Sequence, residues 1–226
     1  MIQLGGKHSA LLVVDMQPDF MPGGALAVQG GDKIVAPIGR LMTSEMFEVI
    51  VATQDWHPRN HVSFASNNPG RKPFETIELY GYPQTLWPDH CVQGTRGAEL
   101  HQALPLEKVS AIIRKATDAA TDSYSGLRNN WNPAGERLPT GLGGYLKSRG
   151  VEDVFVCGLA RDYCVAWSAE DAFDAGFRVT VIWDLCRSID SVSDAKLRLS
   201  LEGRGIKIVS AEQLYESHSF VDAASR

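Results

Sequence analysis

Short apolar segments alternate with amphipathic ones along most of the chain. Six segments rich in Val and Ile carry few polar residues, as expected of strands that are buried on both faces of a sheet. They are residues 10–14, 47–52, 111–113, 154–157, 179–183 and 206–209. Between them, apolar residues at helical spacing predict helices at residues 32–46, 97–104, 141–149, 163–175 and 191–204.

This order of elements predicts an α/β fold with a mostly parallel six-stranded sheet and helices on both faces, a Rossmann-like three-layer arrangement. Two connecting segments, about 54–93 and 118–139, are longer than a connection requires and rich in aromatic residues. Segments of that length inside a compact domain usually carry function. We therefore expect one domain over residues 1–226, with a core at about 9–214 and an inserted functional loop at about 54–93.

Charge and cysteine usage narrow the class of protein. The net charge of −5 and the lack of a basic cluster argue against nucleic acid or an anionic membrane surface as partner. The sequence shows neither a signal segment nor an apolar run of about 18 residues, so we expect a cytoplasmic protein. The four cysteines are Cys91, Cys157, Cys164 and Cys186, and they form no C-x-x-C pair. We expect them to be free thiols, which leaves one available for catalysis.

Cys164 lies in a turn, Gly158 to Cys164, that follows a predicted strand and opens a predicted helix. The positive end of the helix dipole favours a thiolate at that position. Unpaired backbone N–H groups of the first helical turn are also able to receive an oxyanion. The alternative is a small buried residue that only packs against the sheet.

Two charged residues end strands of the same predicted sheet. Asp15 follows the first apolar segment and Lys115 follows the third. Carboxyl ends of parallel strands meet at one edge, where open α/β sheets form their sites. An aspartate that moves a proton and a lysine that stabilises a thiolate would activate Cys164. Either residue alone is more often a solvated strand end or a helix cap.

A second group of polar residues has the composition of a metal site. Asp55 and His57 lie on the same side of an extended segment, and His90 can complete a set of one oxygen and two nitrogen ligands. Such a set suits zinc first, with iron or manganese as alternatives, and leaves positions open for water or substrate. Asp55 is also a common turn residue, and His61 and Cys91 rank below these three as ligands.

Five separated motifs, in order, resemble the nicotinamidase/pyrazinamidase group of the isochorismatase-like cysteine hydrolase superfamily. The resemblance covers Leu11 to about Leu214. The motifs are Val-Asp-Met-Gln-x-Asp-Phe with the later Pro-Gly-Gly-Ala-Leu; Thr-Gln-Asp-Trp-His-Pro-x-x-His-x-Ser-Phe; Leu-Trp-Pro-x-His-Cys; the strand-end Lys115; and Gly-Leu-Ala-x-Asp-Tyr-Cys-Val.

The resemblance implies hydrolysis of nicotinamide to nicotinate and ammonia, and of pyrazinamide, through a cysteine thioester, with a role in NAD salvage. The expected partner is the small-molecule substrate, with no nucleic acid and no membrane, and the sequence leaves open whether the protein is a monomer or a homo-oligomer. The resemblance also implies a cis peptide before Ala160 and leaves the role of His61 open. The implied residues are a catalytic triad of Asp15, Lys115 and Cys164; an oxyanion hole at Ala160 and Cys164; a substrate pocket of Phe20, Leu26, Trp87, Tyr124 and Ala160; and a metal held by Asp55, His57 and His90.

Two alternatives stay open at the level of sequence. One is hydrolysis of another small amide, with a metal that serves only structure. The other is a catalytically silent binding protein on the same fold, against which the presence of all three triad residues argues.

Overall fold

A fully parallel six-stranded sheet forms the centre of the computed structural model, which describes residues 6–224. The strand order is β5-β2-β1-β6-β7-β8, and a two-stranded antiparallel hairpin, β3-β4, lies apart from it. The strands are β1 Gly6–Val14, β2 Phe47–Asp55, β3 Thr76–Leu79, β4 Tyr82–Thr85, β5 Ala111–Lys115, β6 Asp153–Leu159, β7 Arg178–Arg187 and β8 Lys207–Val209.

Helices cover both faces of the sheet. They are α1 Val35–Thr43, α2 Leu142–Ser148, α3 Ala166–Asp174, α4 Asp194–Gly203 and α5 Ala211–Ala224. The chain runs from β1 to β2 and β5 in one direction, then returns past β1 to β6, β7 and β8. Because crossovers between parallel strands are right-handed, this reversal places α1 on one face and α2, α3 and α4 on the other.

The central strands form the core. Residues 11–14 of β1 and 154–159 of β6 are buried throughout, without the polar alternation of a half-exposed strand. Each fully buried Val, Leu or Ile side chain contributes roughly 1.5–3 kcal/mol to the free energy of unfolding. The six predicted strands are all present and the predicted α/β class is confirmed.

Three parts of the sequence prediction differ from the structure. The helix predicted at 97–104 is wrong, because only the single 3₁₀ turn Arg96–Ala98 forms there. The backbone N–H of His101 donates to the carbonyl of Met16 instead of to a carbonyl within its own segment. The hairpin β3-β4 was not predicted, since its apolar residues are few and only partly buried. Helix α5 was not predicted either, and it lies mostly beyond the predicted core of about 9–214.

The reversal of strand order sets the position of polar residues. It lies between β1 and β6, and four adjacent strands end there side by side. Their carboxyl ends lead directly to Asp15, Asp55, Lys115 and the turn that contains Cys164. Within residues 6–224, no helix is long and apolar enough to cross a membrane.

Candidate active site

The ammonium group of Lys115 is the centre of a buried cluster at this edge of the sheet. Its Nζ atom lies 2.9 Å from a carboxylate oxygen of Asp15 and donates to Sγ of Cys164 at 3.3 Å. It also donates to Oδ1 of Asp55 and, at 3.0 Å, to the carbonyl oxygen of Ser123. The side chain is buried, so these four partners stand in place of water. The structure thus brings together the three residues that the sequence predicted as a catalytic triad.

Asp15 is held by the neighbouring strand. Its φ angle of 47° turns the chain out of β1 immediately after Val14. Its backbone N–H donates to Oγ1 of Thr53 at 3.1 Å, and that hydroxyl donates back to Oδ1 of Asp15 at 2.6 Å. Both residues are buried, so this pair of hydrogen bonds fixes the carboxylate beside the lysine. Thr53 was not singled out in the sequence, where its burial is not visible.

Burial dominates the protonation of the cluster. It raises the pKa of the Cys164 thiol well above its usual range, although Lys115 opposes the rise. It also raises the pKa of the Asp15 carboxyl, again against the effect of Lys115. For Lys115 itself burial lowers the pKa, but the nearby Asp15 and Asp55 carboxylates outweigh it and the pKa is raised. The sequence predicted a thiolate favoured by the helix dipole, whereas the buried site favours a neutral thiol until its proton is taken.

The turn before the cysteine carries the predicted cis peptide between Leu159 and Ala160. Five residues, Arg161–Val165, then form one π-helical turn that leads into α3. The Ala160 carbonyl accepts from the N–H groups of Tyr163 and Val165, at 3.1 and 3.0 Å. The turn is therefore defined by the backbone, and Cys164 lies inside it with its side chain buried.

A group able to hold a divalent metal adjoins the triad. Ligand atoms of Asp55, His57 and His90 lie within 4.8 Å of one another, and all three side chains are buried. Burial lowers the pKa of His57 and of His90 to about 4, so both rings are neutral, as metal ligands must be. Nδ1 of His57 has no hydrogen-bond partner. A buried nitrogen without a partner and neutral imidazoles beside a carboxylate fit a divalent cation.

The two lower-ranked ligand candidates have partners of their own. His61 contacts the Ser63 hydroxyl at 2.7 Å through Nδ1 and the Thr121 carbonyl at 3.3 Å through Nε2. It belongs to a neighbouring group with His57 and Asp122. The thiol of Cys91 faces the carbonyl oxygen of Gly97 at 3.8 Å. The structure places neither in the group of Asp55, His57 and His90.

One cavity connects the thiol with the potential metal ligands. The predicted pocket residues Phe20, Leu26, Trp87, Tyr124 and Ala160 all line it, together with Asp55, His57, His90, Asp122, Ser123, Tyr163, Cys164 and Ile189. The indole N–H of Trp87 donates to the Tyr124 hydroxyl at 3.2 Å, and the Tyr163 ring packs edge-on against both. A more open cleft of about 510 Å³ shares no lining residue with this cavity.

Comparison with known proteins identifies the family. The isochorismatase domain matches residues 9–213. The chain belongs to the isochorismatase family. The nicotinamidase of Acinetobacter baylyi is 53% identical to it over 184 residues, which cover 81% of this chain and 83% of that protein.

Solved structures agree with this assignment. The nicotinamidase/pyrazinamidase of Acinetobacter baumanii is 46% identical, with a TM-score of 0.86 over 92% of this chain and 99% of the other. PnC1 from L. infantum in complex with nicotinate is 35% identical, with a TM-score of 0.81 over 93% and 96%. The pyrazinamidase of Pyrococcus horikoshii in complex with zinc is 39% identical, with a TM-score of 0.72 over 90% and 99%.

Four residues that line the cavity beside Cys164 were not predicted from the sequence: Asp122, Ser123, Tyr163 and Ile189. The side chain of Asp122 accepts from the Gln84 side chain at 2.7 Å and lies 3.8 Å from Nε2 of His57. Its signal in the sequence was a polar run directly before Tyr124 in the second long segment. Ile189 follows β7 and is held by its N–H, which donates to Asp162 at 3.0 Å.

Proposed function

We propose that the protein is a nicotinamidase that hydrolyses nicotinamide to nicotinate and ammonia, and that it also accepts pyrazinamide. Two observations carry this proposal together. Lys115 links Asp15 and Cys164 to Asp55. One cavity is lined by Cys164 and by the potential metal ligands Asp55, His57 and His90. The 53% identity to a nicotinamidase and the fold shared with a nicotinate complex support the same substrate class.

Thiol activation is assigned to Asp15 and Lys115. Burial raises the pKa values of both Cys164 and Asp15, so proton transfer from the thiol to the carboxylate exchanges one buried anion for another. Lys115 lies within 3.3 Å of Sγ and 2.9 Å of Asp15, and therefore stabilises the negative charge on either side of the transfer. The resulting thiolate attacks the carboxamide carbon.

The remaining steps use the same groups. The backbone N–H groups of Ala160 and Cys164 receive the oxyanion that forms on the carboxamide oxygen. Asp15 returns its proton to the departing ammonia, which leaves an acyl thioester on Cys164. Water then adds to the thioester while Asp15 accepts its proton, and collapse of that adduct releases nicotinate and the thiol.

The aromatic wall and the potential ligands orient the ring. Trp87, Tyr124 and Tyr163 form an edge-on cluster beside Cys164 that suits a flat heteroaromatic ring. Asp55, His57 and His90 would hold a divalent metal, zinc in our proposal, which when bound offers an open position to a ring nitrogen. The zinc complex of the related pyrazinamidase supports that choice.

The test compares nicotinamide, pyrazinamide and benzamide at a fixed, measured metal content. Each of the first two carries a ring nitrogen meta to the carboxamide-bearing position, whereas benzamide keeps the size and flatness without the lone pair. A site built around a polar contact rejects an analogue that lacks it, by roughly 10⁴-fold in the strongest cases. We expect ammonia release from the first two and a much lower kcat/KM for benzamide.

The other outcomes identify the alternatives. If benzamide matches nicotinamide, the ring nitrogen is not the anchor and the protein is a broader small-amide hydrolase. If purified, metal-loaded protein binds nicotinamide but releases no ammonia, it is a binding protein on this fold. The cytoplasmic location and the role in NAD salvage stay predictions.

A further inference from the structure

Gln17 lies where the first strand leaves the sheet, and its side chain is fully buried. β1 ends at Val14 and the positive φ of Asp15 turns the chain away, while the adjacent β2 continues to Asp55. The backbone of Asp55 therefore has no strand partner on the β1 side. A buried peptide group without a partner costs roughly 1–3 kcal/mol.

The carboxamide of Gln17 takes the place of the missing strand. The backbone N–H of Asp55 donates to Oε1 of Gln17 at 2.8 Å, and Nε2 of Gln17 donates to the Asp55 carbonyl at 2.9 Å. The same Nε2 donates to the Ala98 carbonyl, also at 2.9 Å. A single side chain thus holds both backbone polar groups of one residue, as a neighbouring strand would.

Asp55 is the residue that connects the two halves of the site. Its Oδ1 accepts from Nζ of Lys115, and its Oδ2 lies 3.8 Å from Nε2 of His90. One carboxylate therefore faces the lysine beside the nucleophile on one side and the potential metal ligands on the other. A small rotation of the Asp55 backbone would move both oxygens together.

We propose that Gln17 is a positioning residue, which fixes the backbone of Asp55 and thereby aligns its carboxylate between Lys115 and the metal. Gln17 is absent from the residues that line the cavity, so it acts through Asp55 and not by contact with substrate. The kinetic part of the test rests on the proposed function. The Zn²⁺ affinity does not, because it is measured without substrate.

Gln54 provides a matched control. It is the residue before Asp55, is buried like Gln17, and donates from Nε2 to the same Ala98 carbonyl at 2.7 Å. Its Oε1 accepts from Arg114, and it makes no hydrogen bond to Asp55. Gln54→Met therefore removes buried hydrogen bonds at the same end of β2 but leaves the two hydrogen bonds between Gln17 and the Asp55 backbone, which we call the clamp.

The experiment measures Zn²⁺ affinity by titration of chelator-treated protein, and kcat and KM for nicotinamide at saturating Zn²⁺, for wild type, Gln17→Met and Gln54→Met. We expect Gln17→Met to bind Zn²⁺ about 10- to 100-fold more weakly, as for other groups that orient metal ligands. At saturating Zn²⁺ we expect its kcat to fall by about 10- to 100-fold while KM changes little, because misplacement of Asp55 also displaces Lys115. Gln54→Met loses stability but keeps the wild-type Zn²⁺ affinity and kcat.

Other results would overturn the proposal. Equal losses of Zn²⁺ affinity in the two folded variants would show that the clamp does no more than any buried hydrogen bond. Unchanged affinity and kcat in folded Gln17→Met would show that Asp55 holds its own position. Should Gln17→Met fail to fold, Gln17→Asn keeps the amide but is too short to reach both groups of Asp55, and the same expectations apply to it. Wild-type protein that binds Zn²⁺ but leaves nicotinamide intact would contradict the proposed function alone.

Discussion

Replacement of Lys115 by methionine is the sharpest test of the charge balance in the site. Met is similar in length but removes the ammonium that faces Asp15, Asp55 and Cys164. At 2.9 Å and an effective dielectric constant of about 20, attraction to Asp15 alone is worth about 6 kcal/mol before desolvation is subtracted. Removal of one partner from a buried ion pair costs a net of about 3–5 kcal/mol.

We therefore expect Lys115→Met to lower the free energy of unfolding by about 3–5 kcal/mol. Addition of Asp15→Asn to this variant removes one of the two uncompensated carboxylates and is expected to restore part of the loss. Both variants should be inactive toward nicotinamide. Chemical denaturation of chelator-treated protein gives the unfolding free energies without the contribution of bound metal.

Lys108→Met is the control, since Lys108 is exposed and substitutions of that kind change stability by about 0.5 kcal/mol or less. The reasoning fails if Lys115→Met unfolds within about 1 kcal/mol of wild type, far below the penalty for an uncompensated buried charge. It also fails if Asp15→Asn makes the Lys115→Met protein less stable still.

Three further variants test separate parts of the site. Cys164→Ala should fold and bind Zn²⁺ but lose nicotinamide turnover by about 10⁴-fold or more, and turnover within tenfold of wild type would remove it as the nucleophile. His90→Ala should lose Zn²⁺ by elemental analysis while iodoacetamide still alkylates Cys164, and full metal occupancy would contradict its role as a ligand. Gly158→Ala should destabilise the fold by more than about 3 kcal/mol, because Gly158 has a φ of 118° and an added Cβ would overlap the Val14 backbone. Thermal denaturation measures this loss, and an unchanged melting temperature would show that the turn adjusts freely.

The sequence was sufficient for the sheet and for the grouping of the triad. Buried parallel strands are continuous apolar segments, and the residues that follow them lie at the same edge of the sheet. Asp15 and Lys115 could therefore be placed beside each other from the sequence alone. The predicted cis peptide and the pocket aromatic residues depended on the resemblance to a family. Neither follows from periodicity.

What escaped prediction depends on long-range packing. Gln17 and Thr53 matter because β1 ends two residues before the adjacent β2 does, a difference that no local pattern reveals. The protonation of Cys164 was predicted from the helix dipole, but burial of its thiol raises the pKa well above the usual range. The predicted helix at 97–104 failed for a similar reason, since its backbone bonds to residues far away in the sequence.

Strand register sets the position of Lys115 in the site. Asp55 and Lys115 are paired directly across β2 and β5, so their side chains leave the same face of the sheet and meet. A slip of one residue in this pairing would turn Lys115 to the opposite face and leave Asp15 and Asp55 without a countercharge. Because β5 pairs over all five of its residues with β2, a strand of the buried core, the position of Lys115 is set by the sheet.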